Sequence, residues 1–262
     1  MSYKIPLVRL NDGTAIPAFG IGITTESTDV YERVYEALLL GMFHISVIGT
    51  DHLDEIRHAV ELSGVPWEVI RISVTAPEGA VLTDTIREAM RGLQRPYVDI
   101  FLMDAFSYKT PADVTIAWSL MEGFKHDKRA SSIGVANMSR KDLEVIVSGN
   151  SGILPVMNLK EFHPLAYTPE SVLWAQSQEI KTCSYKPYED FERSVRVFSR
   201  TMLLSERSLL AWIRDSGVLI VSTFTTRYRL LLQLEMFDGA YDKDEFEAIT
   251  ALRYRGPKPA ED

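Results

Sequence analysis

The sequence predicts a single α/β domain over residues 1–262, an eight-stranded parallel (β/α)8 barrel of the TIM class with an N-terminal β-hairpin. Three observations carry this. Short runs of strand-forming residues alternate with helically periodic segments along about 250 residues, as repeated βα units require. The run Tyr97-Val98-Asp99-Ile100-Phe101-Leu102-Met103 reads as a strand buried on both faces and stops on the carboxylate of Asp104. No Gly-x-Gly-x-x-Gly opens a helix, which weighs against an open doubly wound sheet, the other architecture that alternates in this way.

In chain order, Asp12-Gly13 sits between two short alternating segments and signals the hairpin. A strand follows at 19–23. Val30, Val34, Ala37 and Leu38 recur at helical spacing, Asp29 and Glu32 resemble a capping box, and Gly41 supplies the stop. The pattern then repeats, with strands at 43–48, 69–74, 98–103, 132–136, 156–159, 180–184 and 218–221. Helices are predicted from about Leu53, then at 83–93, 114–124, 140–147, 169–178, 205–214 and 228–234. There is no internal repeat, and the Pro-containing tail from about Gly256 is expected to be loose.

Composition narrows the function classes. Hydrophobic residues make up 46% of the chain, enough for one large core. A net charge of -8 without a basic stripe repels a nucleic-acid backbone, so no nucleic-acid partner is expected. The longest apolar run, Ala37 to Phe43, is far short of the roughly 20 residues that span a bilayer, so no membrane partner is expected either. A single cysteine, Cys183, and an N-terminus without a signal-like apolar segment point to the cytoplasm. No His/Cys/Asp/Glu cluster has metal-ligand spacing, so no metal is assigned. The expected assembly is a monomer or weak homo-oligomer.

The residues resemble the aldo-keto reductases from about Val8 to Arg255. The resemblance is carried by Leu10-Asn11-Asp12-Gly13-Thr14-Ala15-Ile16-Pro17-Ala18-Phe19-Gly20-Ile21-Gly22, by Leu40-Gly41-Met42-Phe43-His44-Ile45, and by Tyr97 to Leu102. Trp118, Met121, Glu122, Lys128 and Ile133-Gly134-Val135-Ala136-Asn137 follow in order, then Asn158, Glu161, His163 and Pro164. The resemblance implies a barrel that reduces carbonyls with NADPH. It also implies an aspartate, a tyrosine, a lysine and a histidine around the reacting oxygen. Here those four positions fall on Ser46, Asp51, Thr75 and Asp104.

The cofactor positions that the resemblance implies are changed as well. Asn137 is kept, its serine neighbour is Ala136, the glutamine of the sixth strand is Leu159, and the stacking tyrosine is Tyr185. Around the adenosine phosphate the pattern reads Ser222-Thr223-Phe224, with Arg229 kept and Leu232 and Gln233 replacing an acid and an amide. No bound cofactor is therefore expected. The candidate catalytic residues are Asp104, Asp51, Thr75, Tyr185 and Ser46, with Asp51 and Asp104 expected to share one mouth. Ala136, Asn137, Leu159, Phe224 and Thr24 are the candidate substrate-binding residues.

Other roles are available to several of these positions. Asp51 reads equally as a cap of the second helix, and His44 as a satisfied core residue. His52 and His58 are expected to face solvent, and Cys183 to act as a small buried hydrophobe. Two functions stay open. One is a cofactor-independent isomerase, cyclase or lyase acting on a hydrophobic biosynthetic intermediate, pericyclic ring closure included. The other is a non-catalytic ligand- or protein-binding pseudoenzyme. An NADPH-dependent reductase with relocated acids ranks behind both.

Overall fold

A computed structural model describes residues 3–149, 152–166, 169–189, 191–192, 205–239 and 242–252. The expected loose tail lies outside them. Strands β1 (Leu7–Arg9) and β2 (Ala15–Pro17) form the antiparallel hairpin. Eight parallel strands close the barrel: β3 (Phe19–Ile23), β4 (His44–Ile48), β5 (Arg71–Ala76), β6 (Val98–Asp104), β7 (Ala130–Ala136), β8 (Met157–Lys160), β9 (Lys181–Tyr185) and β10 (Leu219–Ser222). The ring runs in chain order and β10 pairs with β3. The helices are α1 (Val30–Leu39), α2 (Leu53–Ser63), α3 (Leu82–Leu93), α4 (Pro111–His126), α5 (Arg140–Ser148), α6 (Pro169–Ser177), α7 (Glu206–Asp215), α8 (Arg227–Leu234) and α9 (Lys243–Leu252).

The core has two parts. Helix faces and outward strand residues such as Phe101, Val135, Phe124 and Met121 form the larger cluster. Ile100, Leu102, Ala136, Met157, Leu159, Cys183 and Val221 form a smaller one inside the barrel. Alternation along β6 produces this division, because successive strand residues point to opposite faces. Leu102 covers its register partner on the neighbouring strand, and a Cβ on Gly134 would lie 2.7 Å from its Cδ2. Side chains therefore fill the barrel, as this fold demands.

The hairpin closes the amino-terminal end. Its Leu10 and Ile16 join the inner cluster, while Asp12 Oδ2 accepts from Lys125 Nζ at 2.8 Å and Ser132 Oγ at 2.7 Å. Arg71 Nε donates to Ala15 O at 3.2 Å. The hairpin leaves the carboxyl end of the strands uncovered.

Helix starts differ from the sequence expectation in two places. Asp29 precedes α1 in the left-handed region (φ 52) and its side chain makes no capping bond. His52, not Asp51, is the residue before α2, and it too makes no capping bond. By contrast α4 has a full capping box, with Asp113 N–H donating to Thr110 Oγ1 and Thr110 N–H donating to Asp113 Oδ2. Pro111 follows at the first helical position, where its missing N–H costs nothing.

Candidate functional site

Strand β6 delivers Asp104 to the carboxyl end of the barrel, where its side chain is buried to 8% exposure. Oδ1 accepts from the Phe106 N–H at 3.0 Å and Oδ2 accepts from Asn137 Nδ2 at 3.1 Å. Asn137 reaches it because Ala136 is the register partner of Asp104 on β7. A left-handed backbone at Asn137 (φ 54), with its N–H donating to Leu159 O at 2.8 Å, then turns the amide inward. Burial pushes the Asp104 pKa up, the two hydrogen bonds pull it back in part, and the negative charge of Glu78 adds to the rise. Tyr108 lies near enough for the Asp104 charge, after burial, to raise its phenol as well.

The carboxylate that opposes Asp104 is thus Glu78, from the loop after β5. Asp51 was expected to share this mouth, and no hydrogen bond or ion pair joins it to Asp104 among the described residues. Asp51 is exposed on the turn from β4 into α2, and the carboxylate whose charge raises Asp104 is Glu78. The chain enters that turn from the strand through Gly49 (φ 80). Sequence reasoning also missed Tyr108 and Glu78. Both lie on loops, where no periodicity marks a side chain as facing the mouth.

Ser46 and Thr75 stand on β4 and β5, fully buried. Neither hydroxyl has a hydrogen-bond partner among the described residues. Ser46 pairs in register with Ser73, and Thr75 with Leu102. Ser73 Oγ shares a hydrogen bond with His44 Nε2 at 3.1 Å. The His44 ring is completely buried against Gly20, where a Cβ would lie 2.6 Å from Nδ1, and burial lowers its pKa to about 3. His44 is therefore a neutral core residue. Cys183 is a buried free thiol whose pKa is pushed up by burial, which makes it a poor nucleophile.

Tyr185, at the end of β9, packs on the inner cluster beside Ala136 and Leu159. Its ring crosses above Gly22, where a Cβ would meet Tyr185 Cε2 and Val221 Cγ1 at 3.1 Å each. Asp104, Asn137, Ala136, Leu159, Thr75, Ser46 and Tyr185 are thus all inward or end-of-strand positions of one barrel. Phe224 departs from its expected place. Phe224 belongs to the outer cluster, under the Arg33 guanidinium at 5.6 Å from its ring. Thr24 bonds Ser27 within its own turn. Leu232 is part-exposed on α8 and adds nothing to an apolar wall.

These residues do not fit the nicotinamide cofactor that the fold implies. The Asn137 amide nitrogen is engaged by Asp104, and Ala136 and Leu159 offer no polar group to a carboxamide. Arg229, the position that would meet the adenosine phosphate, is held by Glu206 at 3.0 and 3.2 Å. Among the described residues no group of three His, Cys, Asp or Glu could hold a metal, and no helix is long and apolar enough to cross a membrane. Two clefts of about 360 and 270 Å³ lie around Trp67, Glu68, Arg95 and Tyr97. They sit at the amino-terminal end of β5 and β6, away from Asp104. Arg95 fills that region, stacked on Tyr97 and Trp67 and bonded to Asp99 at 2.7 Å, a stabilising arrangement.

No protein-family model matches the chain. Methylglyoxal reductase DkgA of Salmonella typhimurium is 24% identical over 269 residues, covering 97% of this chain and 96% of that protein. An aldo-keto reductase of Mycolicibacterium smegmatis is 27% identical, covering 98% and 95%. Among solved structures, the aldo/keto reductase from Brucella melitensis superposes with a TM-score of 0.80 at 25% identity, covering 95% of this chain and all of that one. The Bombyx mori aldo-keto reductase solved with NADP gives 0.79 at 22% identity, covering 96% and 94%. End-to-end alignment with such reductases, together with a hairpin-fronted barrel whose motifs keep their order from Leu10 to Pro164, makes this chain a member of the aldo-keto reductase superfamily.

Proposed function

We propose that the chain is a cofactor-independent enzyme that moves a proton on an apolar, carbonyl-bearing small molecule, producing isomerisation, cyclisation or elimination. One observation carries the reading. Asp104 is a buried carboxyl at the barrel's carboxyl end, hydrogen-bonded by two neutral donors, with its pKa raised by burial. In its ionised form Asp104 takes a proton from a carbon beside the carbonyl. The electron pair moves into the C–O unit as an enolate, and the proton returns to a second carbon, so nothing is oxidised or reduced. Ala136 and Leu159 supply the apolar side of the site, and holding the substrate in a near-attack shape can contribute up to about 7–11 kcal/mol.

The named activities of the relatives are reductions. Carried to this chain, that reading would need a proton donor and a tuned lysine where Ser46, Asp51, Thr75 and Asp104 stand.

The test is to incubate purified protein, without cofactor, with a panel of apolar β,γ-unsaturated ketones in D2O. Conjugation is followed by ultraviolet absorbance and deuterium uptake by NMR. Acceleration over buffer that is lost in Asp104→Asn supports the proposal. Rates equal to buffer across the panel would sink it and leave a non-catalytic binding protein. Consumption of NADPH with methylglyoxal would restore the reductase reading.

A further inference from the structure

The polar groups beside β9 and β10 form one closed network, and its arrangement bears on which ligands the barrel accepts. Arg229, on α8, donates from Nε to Glu206 Oε2 at 3.0 Å and from Nη2 to Glu206 Oε1 at 3.2 Å, a forked pair with a single carboxylate. A second carboxylate, Glu189, lies 3.7 Å from Nη2. Gln233, fully buried one turn further along α8, donates to Glu206 Oε1 at 2.7 Å and to Thr223 O at 3.0 Å. Thr223 in turn donates to Glu189. The Arg229 guanidinium also lies over the Tyr188 ring, 5.4 Å from its centroid.

Burial works against the Arg229 charge, but the hydrogen bonds and charge of Glu206, with Glu189, more than restore it. The cation is therefore satisfied internally, and the three groups Arg229, Glu206 and Glu189 together carry one net negative charge. An incoming phosphate would have to displace a forked carboxylate and then lie beside both displaced acids. Each like-charge contact of that kind is repulsive, and each lost charge-assisted hydrogen bond is among the stronger kind.

We propose that Glu206 and Glu189 are built-in anions that occupy Arg229 and thereby exclude nucleotide phosphates from the β9–β10 side of the barrel. Gln233 is a positioning residue that fixes Glu206 against the arginine. The exclusion determines specificity: the barrel admits uncharged substrates and rejects phosphorylated dinucleotides, irrespective of what Asp104 does.

The test is isothermal titration of adenosine 2′,5′-bisphosphate and of NADPH into the whole chain and into Glu206→Gln, Glu189→Gln and the double variant. The wild type is expected to give no saturable heat below millimolar ligand. The double variant is expected to bind at least tenfold more tightly, with affinity falling as salt rises, and Arg229→Ala in that background is expected to abolish the gain. Micromolar binding by the wild type would overturn the proposal, as would a folded double variant that binds no better than the wild type. Should the variants fail to fold, wild-type crystals grown from ammonium sulfate decide the matter. Arg229 paired with both carboxylates supports exclusion, and a sulfate bound to its guanidinium in their place refutes it.

Discussion

The Asn137 amide and the Phe106 N–H hold the two oxygens of Asp104 at 3.1 and 3.0 Å, and neither donor carries a charge. Asp99, five residues earlier on the opposite face of β6, is instead paired with the Arg95 guanidinium at 2.7 Å. Asp104 has only dipoles to offset its burial, and Glu78 opposes its charge. The same strand therefore carries one carboxylate built for structure and one poised to exchange a proton.

Asp104→Asn is expected to stabilise the fold near neutral pH while removing proton transfer. The sign follows from the raised pKa. A carboxyl that binds its proton more tightly when folded adds stability at low pH and loses it as pH rises from the ordinary 3.8 through the folded value. The variant, which cannot ionise, escapes that loss. Thermal unfolding should show a higher Tm than wild type at pH 7, with the difference closing below pH 4. Wild-type activity should rise with pH across the same window. A variant less stable than wild type at pH 7 would show that the ionised carboxylate is favoured by its surroundings.

Much of this was legible in the sequence, and the limits are physical. All eight barrel strands fall where the apolar runs placed them, because strands buried on both faces read as short continuous apolar runs. Asp104 was legible for the same reason, since the end of a strong strand is also the end of a barrel wall. Asp51 was less legible, because it follows a glycine turn that leaves no periodicity to read. Phe224 was misplaced because an apolar residue after the last strand can face either the mouth or the helices. In the structure the Arg33 side chain covers it from the helix side. The clasp on Arg229 joins it to Glu206, 23 positions away, and to Glu189, 40 positions away, separations at which sequence alone offers no pairing rule.

His44 makes acid a specific hazard for this barrel. Its folded pKa is about 3 against 6.5 when free, because the buried ring cannot readily accept charge. A depressed histidine adds stability that is complete above pH 6.5 and declines as pH falls toward 3, at up to about 1.4 kcal/mol per pH unit. Wild-type Tm should therefore fall through that window. His44→Gln, which cannot titrate, should fall less steeply. Parallel pH profiles for the two proteins would remove His44 as the cause.

Ser46 and Ser73 are register partners on β4 and β5, equally buried, yet they differ in one respect that mutation can read. Ser73 shares a hydrogen bond with His44, whereas the Ser46 hydroxyl, like that of Thr75, has no partner among the described residues. Removing a bonded buried hydroxyl strands its partner, at a cost of about 1–3 kcal/mol, whereas removing an unbonded one takes away only its own desolvation penalty. Ser73→Ala should therefore lower stability in urea unfolding by about that amount, and Ser46→Ala and Thr75→Val should be neutral or stabilising. If Ser46 and Thr75 also orient a substrate oxygen, their variants should gain stability while losing the isomerisation that Asp104 drives. Equal losses of stability for all three would show that Ser46 and Thr75 are bonded in solution, and the contrast between the two serines would then disappear.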